Sequence, residues 1–302
     1  MDPCPHAVGS FTPLPETEPP TSSVRAIFGE AAQRSCVEHP TLDSFHLTVE
    51  EVGSGEPLVF LHGLLGLNEH WIPAVETLSK RARCIMLEFP LAELPHKLCS
   101  IDAVTAMVKR ELSQLIDGPA IYVGNSLGGH LALRLALDHP EAVRGIVLAG
   151  SSGLFEREIV VGRTAQHRPS RDWLQMKIEE LFSDPANIPD GIVDRVYIEL
   201  SNRRAARALV RLSKSAKSDN LSAHLAEITA PALLLWGQSD TVTPPGVAEE
   251  FNDLMPNARI QWLENAGHAP QIEQPAAFTK AIDDFLCEFD PFYSSTTRQE
   301  VA

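Results

Sequence analysis

Ser126 sits in Gly124-Asn125-Ser126-Leu127-Gly128-Gly129, directly after the apolar run 120–123. A hydroxyl set between glycines, where a strand gives way to a helix, fits a nucleophile held out on a sharp turn. Gly124 and Gly128 remove side chains that would collide there, and Gly129 lets helix and strand cross closely. A glycine-rich connection whose serine only caps a helix has the same local look. A neutral serine is a weak nucleophile and needs a base within hydrogen-bond reach. His268, in Asn265-Ala266-Gly267-His268 after Trp262-Leu263, is the candidate base. Asp240, in Trp236-Gly237-Gln238-Ser239-Asp240, is the candidate carboxylate. Such a carboxylate fixes the imidazole tautomer and stabilises the imidazolium. A tetrahedral intermediate further needs donors aimed at its oxyanion. The backbone N–H groups of Leu64, in His62-Gly63-Leu64-Leu65-Gly66, and of Leu127 are the candidates.

Each of these residues has a plainer reading. Asp240 could simply form a turn, and His268 could be a surface or core histidine. His62 reads as a structural residue bonding loop backbone more readily than as a proton carrier. Their joint occurrence, each just after an apolar strand, points to a serine-hydrolase site with Ser126, Asp240 and His268 as its catalytic groups.

The elements that must carry these residues follow from hydrophobic patterning. Strands are expected at 45–52, 57–61, 84–87, 120–123, 145–149, 232–236 and 259–263. Helices are expected at 23–37, 69–79, 101–116, 127–138, 246–254 and 275–289. Buried strands alternating with helices imply an α/β fold with a mostly parallel twisted sheet and helices on both faces. Ligands then bind beyond the carboxyl ends of the strands, where Ser126, Asp240, His268 and the Leu64 loop all fall. The alternation lapses at 154–222, where helices at 173–182, 192–200 and 203–217 read as an inserted cap. The expected organisation is a proline-rich tail over 1–40, a core over 41–153 and 223–290, the cap over 154–222, and a short tail over 291–302.

Composition narrows the function. A net charge of −15 argues against nucleic acid as a partner. No apolar run reaches the roughly 20 residues a membrane span needs, and the N-terminus lacks the basic-then-apolar order of a secretory signal. The five cysteines are scattered and contain no CxxC, the pattern of free thiols in a reducing compartment. The expected location is therefore cytoplasmic. Neither GxxxxGK[ST] nor GxGxxG occurs, and the histidines show no metal-ligand spacing, so neither cofactor nor metal is expected. The insert's basic side chains cluster in Arg195, Arg203, Arg204, Arg207, Arg211, Lys214 and Lys217; the basic helix reads as a solvated face, or as pointing one or more arginines at an anionic substrate. The expected partner is a small molecule, anionic substrates included; a homo-oligomer is compatible with the sequence.

With these four motifs, residues 43–289 resemble the α/β-hydrolase superfamily. Within it, the helical insertion, the Asn125-Ser126 pair and the segment 139–150 resemble the meta-cleavage-product (carbon–carbon bond) hydrolases and related capped esterases. The resemblance implies Ser126, Asp240 and His268 as the triad and the Leu64 and Leu127 amides as the oxyanion hole. In the carbon–carbon hydrolases a cap arginine binds the substrate's dienoate carboxylate, and Arg195 lies in a similar place. Two departures stand out. Ala269-Pro270 follows His268 where those hydrolases usually have tryptophan, and residues 87–95 replace their Asp-x-x-Gly-x-Gly-x-Ser turn. The expectation is a serine hydrolase cleaving carboxylic esters, with carbon–carbon bond hydrolysis as the alternative and a ligand-binding, non-enzymatic member as a third reading. Asn125, Phe155, Trp173 and Arg195 are the expected pocket walls, beside Leu64.

Overall fold

A computed structural model describes residues 27–28, 33–39, 42–155 and 169–289. Its centre is an eight-stranded sheet in the order β1-β2-β4-β3-β5-β6-β7-β8. The strands are β1 (Gln33–His39), β2 (Leu42–Val52), β3 (Glu56–Leu61), β4 (Ala82–Glu88), β5 (Ala120–Asn125), β6 (Val143–Ala149), β7 (Ala232–Gly237) and β8 (Ala258–Leu263). β1 and β2 pair antiparallel, as do β2 and β4, and every pairing from β4 to β8 is parallel.

The unbroken apolar runs arise because both faces of the central strands are covered. In β3, Leu58 and Phe60 enter one core layer while Val59 and Leu61 enter the other. Trp71, Phe278 and Phe285 fill the first layer, brought by a 3-10 turn at Asn68–Trp71, α1 (Ile72–Leu78) and the last helix, Pro275–Phe289. The second layer holds α2 (Ile101–Leu115) and α3 (Leu127–Asp138). Ser100 caps α2 by accepting from the Ala103 N–H at 3.2 Å. The expected helix at 69–79 starts late because Pro73 suits a first turn and not a helix interior.

Three helices lie between β6 and β7: α4 (Arg171–Glu179), α5 (Ile192–Ser201) and α6 (Arg203–Ser218). They sit on the core face that carries α3. One joint is ionic: the Arg134 guanidinium of α3 forks onto Asp219, just past α6, with Nε–Oδ2 at 2.8 Å and Nη2–Oδ1 at 2.9 Å.

One expected element is corrected. Residues 33–39 form a strand, where a helix was expected to reach residue 37 and a tail to reach residue 40. The helical spacing rested on Val24, Ile27, Phe28 and Ala31, all N-terminal to this stretch. From Gln33 onward the backbone instead finds its partners along the open edge of β2, seven residues in antiparallel register. Phe28 packs against the sheet's first core layer while Ile27 is exposed. The proline-rich segment 1–26 and residues 290–302 lie outside the described residues.

Candidate active site

Ser126 occupies the single step between β5 and α3, with φ +53° and ψ −114°. Among the described residues only Ser126 and Asn265 are non-glycine residues with positive φ. Such a conformation costs about 1–3 kcal/mol and persists only where its surroundings impose it. Those surroundings are tight. A Cβ on Gly128 would lie 1.9 Å from the Leu61 carbonyl oxygen, and one on Gly124 would lie 2.4 Å from the Gly128 backbone. The turn is pinned by the Ser126 N–H donating to Ala149 O at 3.0 Å and by the Ser152 N–H donating to Ser126 O at 3.1 Å.

Asp240 and His268 come from the loops after β7 and β8. His268 Nδ1 lies 2.9 Å from Asp240 Oδ2. Asp240 is buried and saturated with donors: the Val242 and Thr243 N–H groups at 2.8 and 2.9 Å, and the Thr243 hydroxyl at 2.9 Å. An anion held this way keeps its charge at a fixed place beside the imidazole. Gly150, at the end of β6, leaves room for the pair, since a Cβ there would fall 2.9 Å from Asp240 Oδ2 and 3.0 Å from His268 Nδ1.

Ser126, His268, Leu64 and Leu127 all border one cavity of about 160 Å3. Leu127 opens α3, so its N–H has no intrahelical acceptor. Leu64 follows Gly63 in a turn closed by the Gly66 N–H to Gly63 O bond at 3.0 Å. Buried His62 props that turn, with Nδ1 at 2.7 Å from Gly63 O and Nε2 accepting from the Phe89 N–H at 3.0 Å. Burial lowers its pKa to about 4, against a weaker upward pull from the Gly63 carbonyl, so the ring is neutral near pH 7. The structural reading of His62 holds.

The expected pocket walls fare differently. Asn125 borders the cavity, yet its Nδ2 donates to Ala149 O at 3.0 Å and to His268 O at 2.9 Å, which fastens the His268 loop to the sheet. Phe155 is 61% exposed and Trp173 packs against the core from α4; neither borders the cavity. Arg195 faces a second cavity of about 220 Å3 and donates from Nη2 to Leu65 O at 2.7 Å. The reason is helical geometry. Ile192 and Val196 present one side of α5 to the first cavity, and Arg195 is about 100° round the helix from Val196. The insert's contribution is mainly apolar, Ile178, Leu181, Phe182, Ile192, Val196 and Ala216, with Ser213 and Lys217 of α6 beside them.

Sequence reasoning missed His70, Ser213, Lys217 and Gln271, all bordering this cavity, as well as Thr243 and Gly150 at the Asp–His pair. Thr243 had a faint signal, because an aspartate followed by a hydroxyl three residues on is a local turn pattern. His70 carried none; its pKa is pushed down to about 4 by burial first, then by the Arg195 and His62 charges. Among the described residues no cluster of three or more His, Cys, Asp or Glu is placed to hold a metal, and no helix is long and apolar enough to cross a membrane.

Known proteins share this architecture over most of the chain. An esterase from Nitrosomonas europaea named pimeloyl-[acyl-carrier protein] methyl ester esterase is 28% identical over 247 residues, 78% of this chain and 97% of its own. The 2-hydroxymuconate semialdehyde hydrolase of a Pseudomonas species is 28% identical over 262 residues, 80% of this chain and 90% of its own. A solved alpha/beta hydrolase enzyme from the metagenome of lagoon sediments at Mar Chica, Morocco, superposes with a TM-score of 0.67 at 28% identity, covering 84% of this chain and 98% of that one. Residues 58–281 match the model of the alpha/beta hydrolase family, to which this chain, a hydrolase, therefore belongs.

Proposed function

We propose that the protein hydrolyses carboxylic esters of small acyl groups through Ser126, His268 and Asp240. The observation that carries this reading is that His268, hydrogen-bonded to buried Asp240, borders the same cavity as Ser126, Leu64 and Leu127. With Nδ1 on Asp240, Nε2 is the nitrogen that takes a proton. Ser126 Oγ attacks the ester carbonyl carbon as His268 Nε2 removes its proton. The carbonyl oxygen becomes an oxyanion against the Leu64 and Leu127 amides; losing one such donor costs about 3 kcal/mol of transition-state stabilisation. Collapse expels the alcohol, which leaves with the proton from His268. Water, deprotonated by His268, then attacks the acyl-enzyme, and the released proton restores the serine.

The cavity suits a short apolar acyl chain. A dry cavity of about 150 Å3 in another protein takes benzene, so about six carbons fit here. Among the described residues Lys217 is the single lysine or arginine bordering the cavity, so a preference for anionic acyl groups would depend on it and not on Arg195.

Carbon–carbon bond hydrolysis is the second reading, favoured by the similarity to the Pseudomonas semialdehyde hydrolase. Against it, Arg195, the residue expected to hold a dienoate carboxylate, is bonded to the Leu65 carbonyl. Turnover of p-nitrophenyl butyrate and of a 2-hydroxy-6-oxo-dienoate separates the two. The ester reading requires the ester to be the better substrate by kcat/KM and its turnover to vanish in Ser126→Ala. A strong preference for the dienoate would replace it with the second reading.

A further inference from the structure

A carboxylate that the reaction does not use is built into the His268 loop. Glu273 closes the short helix Pro270–Glu273, is 6% exposed, and is not among the residues bordering the cavity. Its Oε2 accepts from the Gly267 N–H, one residue before His268. Its Oε1 accepts from the Ser183 N–H at 2.6 Å and the Asp184 N–H at 3.2 Å. Ser183 and Asp184 directly follow Leu181 and Phe182, the insert residues that wall the cavity.

The same seam is closed by two further bonds. His268 donates its own N–H to Leu181 O at 2.7 Å. Thr241, next to Asp240, donates its hydroxyl to Glu180 O at 2.6 Å. The two backbones approach so closely that a Cβ on Gly267 would fall 2.5 Å from Leu181 O. Removing the carboxylate would leave three backbone N–H groups without their acceptor, that of Gly267 buried and those of Ser183 and Asp184 partly buried, a loss that chain movement or entering water must relieve.

We propose that Glu273 is a positioning residue. It binds the backbone of the His268 loop and of the insert's 181–184 turn into one unit, and thereby holds the imidazole in register with Ser126. The proposal rests on His268 being the general base. A displacement of about 1 Å at a reacting group can lower the rate about 100-fold, so a clamp on the loop acts on kcat even though Glu273 touches no substrate.

The test uses Glu273→Ala and Glu273→Gln in the full chain, at a temperature where circular dichroism shows both folded. The substrate is p-nitrophenyl acetate, whose acyl group is too short to depend on the Leu181–Phe182 wall. The expected result is a kcat about 10- to 100-fold lower in Glu273→Ala, with KM little changed. Glu273→Gln, which keeps the side-chain length and one acceptor oxygen, is expected to recover part of that loss. The downfield proton resonance of the His268–Asp240 hydrogen bond is expected to shift or broaden in both variants. A kcat within twofold of the parent in folded Glu273→Ala, or an unmoved resonance, overturns the proposal. If Glu273→Ala does not fold, Glu273→Gln decides by the same two criteria. Inactivity of the unsubstituted protein would count against the ester reading instead, and the resonance alone would then judge the clamp.

Discussion

His268 Nδ1 lies 2.9 Å from Asp240 Oδ2, although the two residues come from loops after different strands. β7 and β8 are adjacent and parallel, so both loops leave the same rim of the sheet. Ser126 leaves that rim from β5, two strands from β7 and three from β8. Replacing Asp240 by asparagine preserves shape but permits the wrong imidazole tautomer. The expected result for Asp240→Asn is a folded protein whose kcat on p-nitrophenyl butyrate is lower by on the order of 10^4. A loss below tenfold would remove Asp240 from the catalytic role.

Acyl-chain preference follows from the cavity. Each added buried methylene contributes about 0.8 kcal/mol, or about fourfold in kcat/KM. The rise is expected from acetyl to about hexanoyl and no further, because about 160 Å3 is then full. Val196→Phe, placing a bulky ring where an isopropyl group walls the cavity, is expected to move the optimum to shorter chains. A steady rise through dodecanoyl would contradict this volume.

Charge selectivity distinguishes Lys217 from Arg195. Lys217→Ala is expected to lower kcat/KM for a carboxylate-bearing acyl ester more than for its neutral analogue. Arg195→Ala is expected to weaken both alike, since it loosens the Leu65 carbonyl in the loop after β3, where the proposed oxyanion donor Leu64 lies. Equal effects on the two esters in Lys217→Ala would remove the charge argument.

The turn under Ser126 sets a steric limit. Gly128→Ala is expected to destabilise the protein by several kcal/mol or to prevent folding, because the new Cβ meets backbone at 1.9 Å and neither partner can rotate away. Gly246→Ala is the control. It lies in the helix Pro245–Leu254 with nothing within 4 Å of the new Cβ, and is expected to be neutral or stabilising by up to about 1 kcal/mol. Melting temperatures of the two variants check both statements.

Buried His62 makes stability depend on pH. Its folded pKa, about 4, lies below the ordinary 6.5, so the unfolded chain binds the extra proton between those values. Its contribution is full above about pH 6.5 and is lost as pH falls toward 4, on the order of 3 kcal/mol in all. His70 adds to the same trend with the same sign. Denaturant unfolding across pH 4 to 7 is expected to show a shallower decline in His62→Asn than in the parent. An identical slope would mean that His62 titrates normally.

Much of this was legible in the sequence because strands buried on both faces must be apolar throughout, as 58–61 and 232–236 are. The helix at 127–138 was legible because glycines cannot be spared beside Ser126. Arg195 was misread for a different reason. Which side of a cap helix faces the cavity depends on how the insert packs, and one residue of rotation decides it. Strand β1 escaped because a sheet edge recruits a segment by hydrogen bonding, which leaves little trace in its hydrophobic pattern. Glu273 gave no signal either, since its partners are backbone amides, two of them some 90 residues earlier in the chain.

The most direct measurement is mass-spectrometric mapping of the adduct formed with a fluorophosphonate probe. The expected result is one phosphonylated peptide, modified at Ser126, absent in Ser126→Ala and slowed in His268→Ala. An adduct on another residue, or undiminished ester turnover in Ser126→Ala, would contradict a nucleophile at the β5–α3 turn.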